Sequence, residues 1–225
     1  MSSETSFLVL RLDGPFQSWG FDSQFNRRNT GLLPTKSAIA GICCAALGLQ
    51  RGSGAEHNFL SVFDSIKMTA IAIPKTKNGV KLSVRRLQDF HTVQNTKTAE
   101  GKTKDCHITH RQYLTDACFG VLLEGSSVSL ADISVGLRNP KWGVWLGRKS
   151  CIPTSPVFIG LENNRKTALS LILGDADIEL FTRQEEVDNF SDGLDSLPDS
   201  PVSFASERRQ FLPRRVRTLY GTMEL

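Results

Sequence analysis

Two short stretches of this 225-residue chain bring together cations, hydroxyls and free backbone N–H groups, the combination that holds a phosphate. In the first, Arg27, Arg28, Thr30, Thr35, Lys36 and Ser37 stand just ahead of and inside an expected helix N-terminus. There the first N–H groups lack intrahelical partners and the dipole end is positive. No Gly-rich Walker spacing accompanies them, so a nucleoside triphosphate site is not expected. An ordinary capped helix flanked by solvated arginines would use the same residues. The second stretch runs from Trp145 to Cys151 (WLGRKSC). Gly147 permits close backbone approach, Arg148 and Lys149 supply charge, and Ser150 can donate to a phosphate oxygen. Trp142 or Trp145 would either stack on a base or fill a core.

His91, His107 and His110 lie in a basic stretch with Lys102, Lys104 and Tyr113. A general base and a phosphate-binding cation are the ingredients of metal-independent RNA cleavage, and histidines in a basic arm also serve simply as RNA or solvent contacts. Cys106, His107, His110 and Cys118 lack both a Cys-x-x-Cys pair and the usual histidine spacing of a zinc site. Asp175, Asp177 and Glu179 alternate, as the polar face of a solvated edge strand would. The expectation is therefore no catalytic residue, no metal and no cofactor.

These residues need elements to position them. Phe7–Leu12 is a short apolar run closed by Asp13-Gly14-Pro15, the pattern of a central strand and turn. Thr35 is the expected N-cap of a helix over 36–49, with Ile39, Ile42, Cys43, Ala46 and Leu49 at helical spacing and many small residues that allow close packing. Lys67–Ile73 and Phe119–Leu123 read as strands, and the aperiodic basic stretch between them, with its Asn78-Gly79 turn signal, as a long hairpin or mobile insertion. Leu130–Leu137 reads as a short helix, and Ala168–Leu173 and Asp177–Phe181 as strands. The order predicts an α+β, ferredoxin-like (RRM-like) β-α-β-β-α-β unit over residues 1–150, with the insertion at about 78–112 and a β-rich region over 151–225.

Composition narrows the function class. A hydrophobic share of 40% with a net charge of +4 gives a packed core and excludes disordered or fibrous chains. No apolar run reaches membrane-spanning length and the first residues lack a signal-peptide pattern, so a cytoplasmic protein without membrane contact is expected. Five cysteines, with Cys43 and Cys44 adjacent in an apolar stretch, point to reduced, buried thiols. Charge is segregated. From Lys81 to Arg111 seven bases face three acids, from Asp175 to Asp199 nine acids face one base, and Arg208, Arg209, Arg214, Arg215 and Arg217 follow. The two basic zones could each follow a polyanion.

Five ordered motifs carry a family resemblance: Leu10–Gly20 (LRLDGPFQSWG), Thr30–Ser37 with Leu47–Gln50 behind it, Arg111–Ala117 (RQYLTDA), Trp145–Pro153 (WLGRKSCIP) and Phe204–Ser206. Together they resemble the CasD-type subunit of type I-E CRISPR Cascade complexes, in the Cas-five family of the RAMP superfamily. The resemblance implies a non-catalytic CRISPR RNA-binding subunit that grips the 5′ handle beside a backbone subunit and the large subunit. The 81–111 insertion would be a thumb reaching the guide–target heteroduplex. Carried onto this sequence, RNA contacts fall on Gln17, Ser18, Trp19, Arg27, Arg28, Thr35, Lys36, Ser37, Gly147, Arg148, Lys149 and Ser150, and in the thumb on Arg85, Arg86, Lys102, Lys104, His107, Arg111 and Tyr113. A type I-C relative instead cuts repeat RNA with a Tyr, Lys and His set that cannot be matched here residue by residue. A metal-independent endoribonuclease is therefore the alternative.

Overall fold

The computed structural model describes residues 4–23, 26–98, 100–189, 191–193 and 195–222. In chain order the elements are β1 (Thr5–Asp13), β2 (Phe16–Gln17), β3 (Arg27–Arg28), α1 (Lys36–Leu47), α2 (Gly54–Asp64), β4 (Lys67–Ala72), β5 (Lys75–Lys77), β6 (Val80–Leu82), β7 (Arg85–Lys97), β8 (Thr103–Thr115) and β9 (Cys118–Ser126). They continue with α3 (Ser127–Arg138), β10 (Phe158–Glu162), α4 (Arg165–Leu173), β11 (Arg183–Glu186), β12 (Asp195–Ser203) and β13 (Gln210–Leu219). The main sheet runs β10-β1-β9-β4-β11-β13-β12, and each neighbouring pair is antiparallel. Its first four strands, with α1 and α3 as crossovers, have the expected β-α-β-β-α-β order. No helix among the described residues is long and apolar enough to cross a membrane.

β1 reads as a continuous apolar run because both of its faces are covered. Leu8, Leu10 and Leu12 pack with Ile39, Ile42, Cys43 and Ala46 of α1 and Leu130, Ile133 and Leu137 of α3. Phe7 and Val9 point the other way, into a second cluster with Ala168 and Ile172 of α4. Thr35 caps α1 by accepting from the Ala38 N–H, and Gly48, at φ +72°, closes it. Gly136 lets α3 approach α1, since a Cβ there would lie 2.7 Å from Leu47 Cδ2.

The structure corrects three readings. Ala168–Leu173 lies in helix α4, not a strand: Asn164 caps the helix by accepting from the Lys166 and Thr167 N–H groups, and a six-residue apolar run has no period long enough to show it. Asp177–Phe181 is a single 3₁₀ turn at Ile178–Leu180 capped by Asp177, so Asp175, Asp177 and Glu179 do not line a strand edge. The break expected between residues 150 and 151 falls inside the β-α-β-β-α-β unit, because β10 pairs with β1 while β11, β13 and β12 extend the same sheet beyond β4.

That extension is joined to the unit by buried charge. Arg214 of β13 grips Asp199 of β12 through two hydrogen bonds of 2.8 and 2.9 Å, and Asp199 in turn accepts from the Lys36 N–H of α1 at 2.8 Å. The Lys36 ammonium donates to Glu186 at 2.8 Å and to the Asp64 carbonyl at 3.0 Å. Glu186 also accepts from the Met68 N–H at 3.1 Å. Of the acidic 175–199 segment, Glu185, Glu186 and Asp199 thus face inward onto bases, and the other acids are exposed.

The basic insertion forms an antiparallel hairpin, β7 with β8, in register from Arg85↔Thr115 to Lys97↔Thr103. Thirteen residues per strand give a length of roughly 43 Å at about 3.3 Å per residue. Near its root, the free edge of β8 pairs with β2 and β3.

Candidate nucleic-acid interface

The hairpin root is assembled from three segments far apart in sequence. Directly after β2, the Ser18 N–H donates to the Leu146 carbonyl at 3.1 Å. Its hydroxyl donates to the Gln112 carbonyl on β8 at 3.1 Å. The 26–31 loop is tied to the same strip, with the Trp19 N–H donating to Thr30 Oγ1 at 2.8 Å and the Gly31 N–H to the Trp19 carbonyl at 2.7 Å. Gly147, at φ +95°, backs directly onto Ser18: a Cβ there would lie 1.8 Å from the Ser18 carbonyl oxygen. Only glycine allows this approach.

Arg148 locks the three segments. Its Nη2 donates to the Arg28 carbonyl at 2.8 Å, and its guanidinium lies 4.7 Å from the centroid of the Tyr113 ring. Its Nη1 is buried and has no partner among the described residues. Beside this lock, burial and then the like charges of Arg51 and Arg28 lower the pKa of Arg209. Arg51 and Arg28 thus both lie close enough to Arg209 for their charges to act on it. Among the described residues, none of Arg27, Arg28, Arg51, Arg148 or Arg209 forms an ion pair with an acid. Unbalanced guanidinium groups beside exposed backbone favour a polyanion.

The expected site residues divide into those the fold presents and those it uses internally. Arg27, Arg28, Lys149 and Ser150 are exposed, as are Arg85 and Arg86 near the hairpin base and Lys102 at its tip. Arg111 is half-buried and donates to Thr109 Oγ1 at 3.1 Å; His107 is half-buried, and the side chain of Lys104 lies outside the described residues. Gln17 and Trp19 are fully buried, and Gln17 Nε2 donates to the Leu12 and Ala117 carbonyls, so both shape the loop from beneath. Tyr113 is buried, with Arg148 covering one face of its ring.

Lys36 is the clearest correction. It is 0% exposed and held by Glu186 and Asp64, so its charge is not offered to a phosphate. The α1 N-terminus already has an anion, since the Lys36 N–H donates to the buried Asp199 carboxylate at 2.8 Å. Thr35 is buried as the cap, and Ser37 Oγ lies 3.3 Å from its hydroxyl. The loop-before-helix motif is real, but its ligand is the protein's own carboxylate.

Sequence reasoning did not single out Arg51 as a site residue and counted Arg209 only as part of a basic tail. Arg51 lies just past the Gly48 cap, and Arg209 in the turn between β12 and β13, next to the Phe204–Ser206 motif; only the fold brings them to Arg28. The histidines do not converge. His91 and His107 share one face of the hairpin, where Asp89 lies 3.6 Å from His91. His110 is on the other, edge-on to Phe90 at 5.2 Å. Burial raises the Cys118 thiol to about 11, Cys106 is the exposed cysteine, and the described residues contain no cluster able to hold a metal ion.

A family model described as CRISPR-associated protein (Cas_Cas5) matches residues 7–217. The CRISPR system Cascade subunit CasD of Escherichia coli (strain K12) is 32% identical over 160 residues, which cover 69% of this chain and 70% of that protein. Among solved structures, a chain of a CRISPR RNA-guided surveillance complex superposes with a TM-score of 0.73 at 28% identity, covering 95% of this chain and 89% of its own. A crystal structure of a Cas protein gives 0.65, also at 28% identity, covering 94% and 93%.

Proposed function

Starting from the fact that the chain belongs to the Cas5 family of CRISPR-associated proteins, we propose that it is a non-catalytic, RNA-binding subunit of a Cascade-type surveillance complex. In this reading it caps the 5′ handle of the CRISPR RNA. The observation that carries it is the hairpin root: two loops locked by Arg148, beside guanidinium groups that no acid balances. Arg28, Lys149 and Ser150 hold handle phosphates, Arg148 fixes the loops that carry them, and Arg51 and Arg209 add field. The bases stay unpaired and available for stacking and edge contacts, the way RNA sequence is read. The roughly 43 Å hairpin extends the contact away from the root toward the guide–target heteroduplex, with Arg85, Arg86 and Lys102 as its exposed cations. Backbone and large subunits are the protein neighbours.

Binding rather than cleavage is supported by the placement of the candidate catalytic groups. A general base must stand within hydrogen-bond reach of the proton it takes, in concert with a cation on the same phosphate. His91 and His107 are separated from His110 by the thickness of the hairpin, and Tyr113 is covered by Arg148.

A gel assay of the purified protein with repeat RNA and with mature 5′-handle RNA, in EDTA across a salt series, tests this reading. Salt-sensitive handle binding without cleavage is expected. Cleavage within the repeat would overturn the non-catalytic assignment.

A further inference from the structure

A second surface near the root is unlike the first. A pocket of about 450 Å³ opens between the loop that follows Arg28 and the extension strands β11, β12 and β13. Its walls are mainly apolar: Phe21, Leu32, Pro34, Leu197 and Tyr220. Phe21 and Tyr220, 46% and 85% exposed, line the same opening, so both rings are accessible there. The volume lies within the roughly 300–1,000 Å³ of small-ligand pockets.

We propose that this pocket receives one unpaired nucleobase of the bound RNA. The proposal rests on the RNA-binding reading above. Stacking on aromatic rings is how proteins hold single bases, and every base has a face that can stack. Charge favours the same occupant. The loop forming one wall carries exposed Arg27 and Arg28 at its start, available to the phosphates on either side of an inserted base. The carboxylate at the pocket wall, Asp199, is neutralised by Arg214, so it does not repel a nucleotide. Gln184 and Thr218 line the pocket, the amide Nε2 donating to the hydroxyl at 3.4 Å, which leaves the amide oxygen to accept and the hydroxyl proton to donate to a base edge.

The test is a scan of mature 5′-handle RNAs, each with one abasic nucleotide, against wild-type protein and the exposed-ring variants Phe21→Ala and Tyr220→Ala. Wild type is expected to lose about tenfold in affinity at one position and little elsewhere. The variants lose about as much with intact RNA and no longer distinguish the abasic position, because the two changes remove one contact. Tyr220→Phe keeps the wild-type pattern. A flat scan with tight wild-type binding overturns the pocket and leaves the RNA-binding reading standing. Failure of wild type to bind handle RNA at all overturns both. Variants that bind RNA normally but fail to join the assembled complex would assign the pocket to a protein partner and overturn the proposal.

Discussion

The hairpin root and the C-terminal sheet carry the same residue type for opposite ends. At the root, Arg27, Arg28, Arg51 and Arg209 have no acidic partner among the described residues. In the sheet, Arg214 is bidentate to Asp199, Arg183 meets Glu179 and Glu185, and Arg217 meets Glu185 at 2.8 Å. A basic segment therefore says little until its counter-charges are placed. The chain's acidic segment balances the bases of the sheet and leaves the root uncompensated, so the modest +4 total is distributed where an external polyanion can meet it.

The contrast can be broken first in the sheet. Arg214→Ala leaves the Asp199 carboxylate buried without its guanidinium partner, and should cost about 3–5 kcal/mol of unfolding free energy, read by chemical denaturation. Loss below about 1 kcal/mol would mean the pair does not hold β12 and β13 together.

A smaller effect comes from acid. Burial raises the Glu185 pKa, but hydrogen bonds from Arg217 and Arg183 outweigh it and hold the carboxyl below its ordinary 4.5. The native state therefore binds fewer protons than the unfolded chain as pH falls. This contribution is present above pH 4.5 and lost as pH drops through the depressed value. Glu185→Gln should be less stable near neutrality and lose less on acidification. Parallel pH–stability curves for the two proteins would contradict this.

Least stability should be lost at the hairpin. Excising Val93–His107 and joining Thr92 to Ile108 through Asn-Gly keeps the root pairs with β2 and β3 and, among the described residues, removes no buried core side chain. Unfolding free energy should change by about 0.5 kcal/mol or less, while association with guide–target duplex in the assembled complex weakens. A molten product would show that the arm supports the fold.

The central strand, the capped first helix and the hairpin were legible because each has a local signal: an apolar run, Thr35 with helical spacing, and a charged stretch between two strands. Helix α2 had one too, in Ser53 and Glu56, whose side chains cap its first turn ahead of Phe59, Leu60 and Phe63. Lys36 could not be read. A lysine at a helix N-terminus has the same sequence whether it faces solvent or Glu186, and the deciding residue is 150 positions away. The Arg28, Arg51 and Arg209 cluster was hidden for the same reason. Gly147 was read as letting a phosphate approach the backbone; in the structure its positive φ lets the loop back onto Ser18, a partner far off along the chain that the local sequence does not show.

The most direct test compares the salt dependence of handle-RNA binding for wild type, Arg28→Gln/Arg209→Gln and Arg217→Gln. The unbalanced root predicts that the root double variant binds more weakly and that its slope of log K against log salt falls by about one per lost phosphate contact, while Arg217→Gln keeps the wild-type slope. Equal slopes for all three proteins, or a drop for Arg217→Gln as large as that at the root, would contradict the division between cations that hold the fold and cations that hold the RNA.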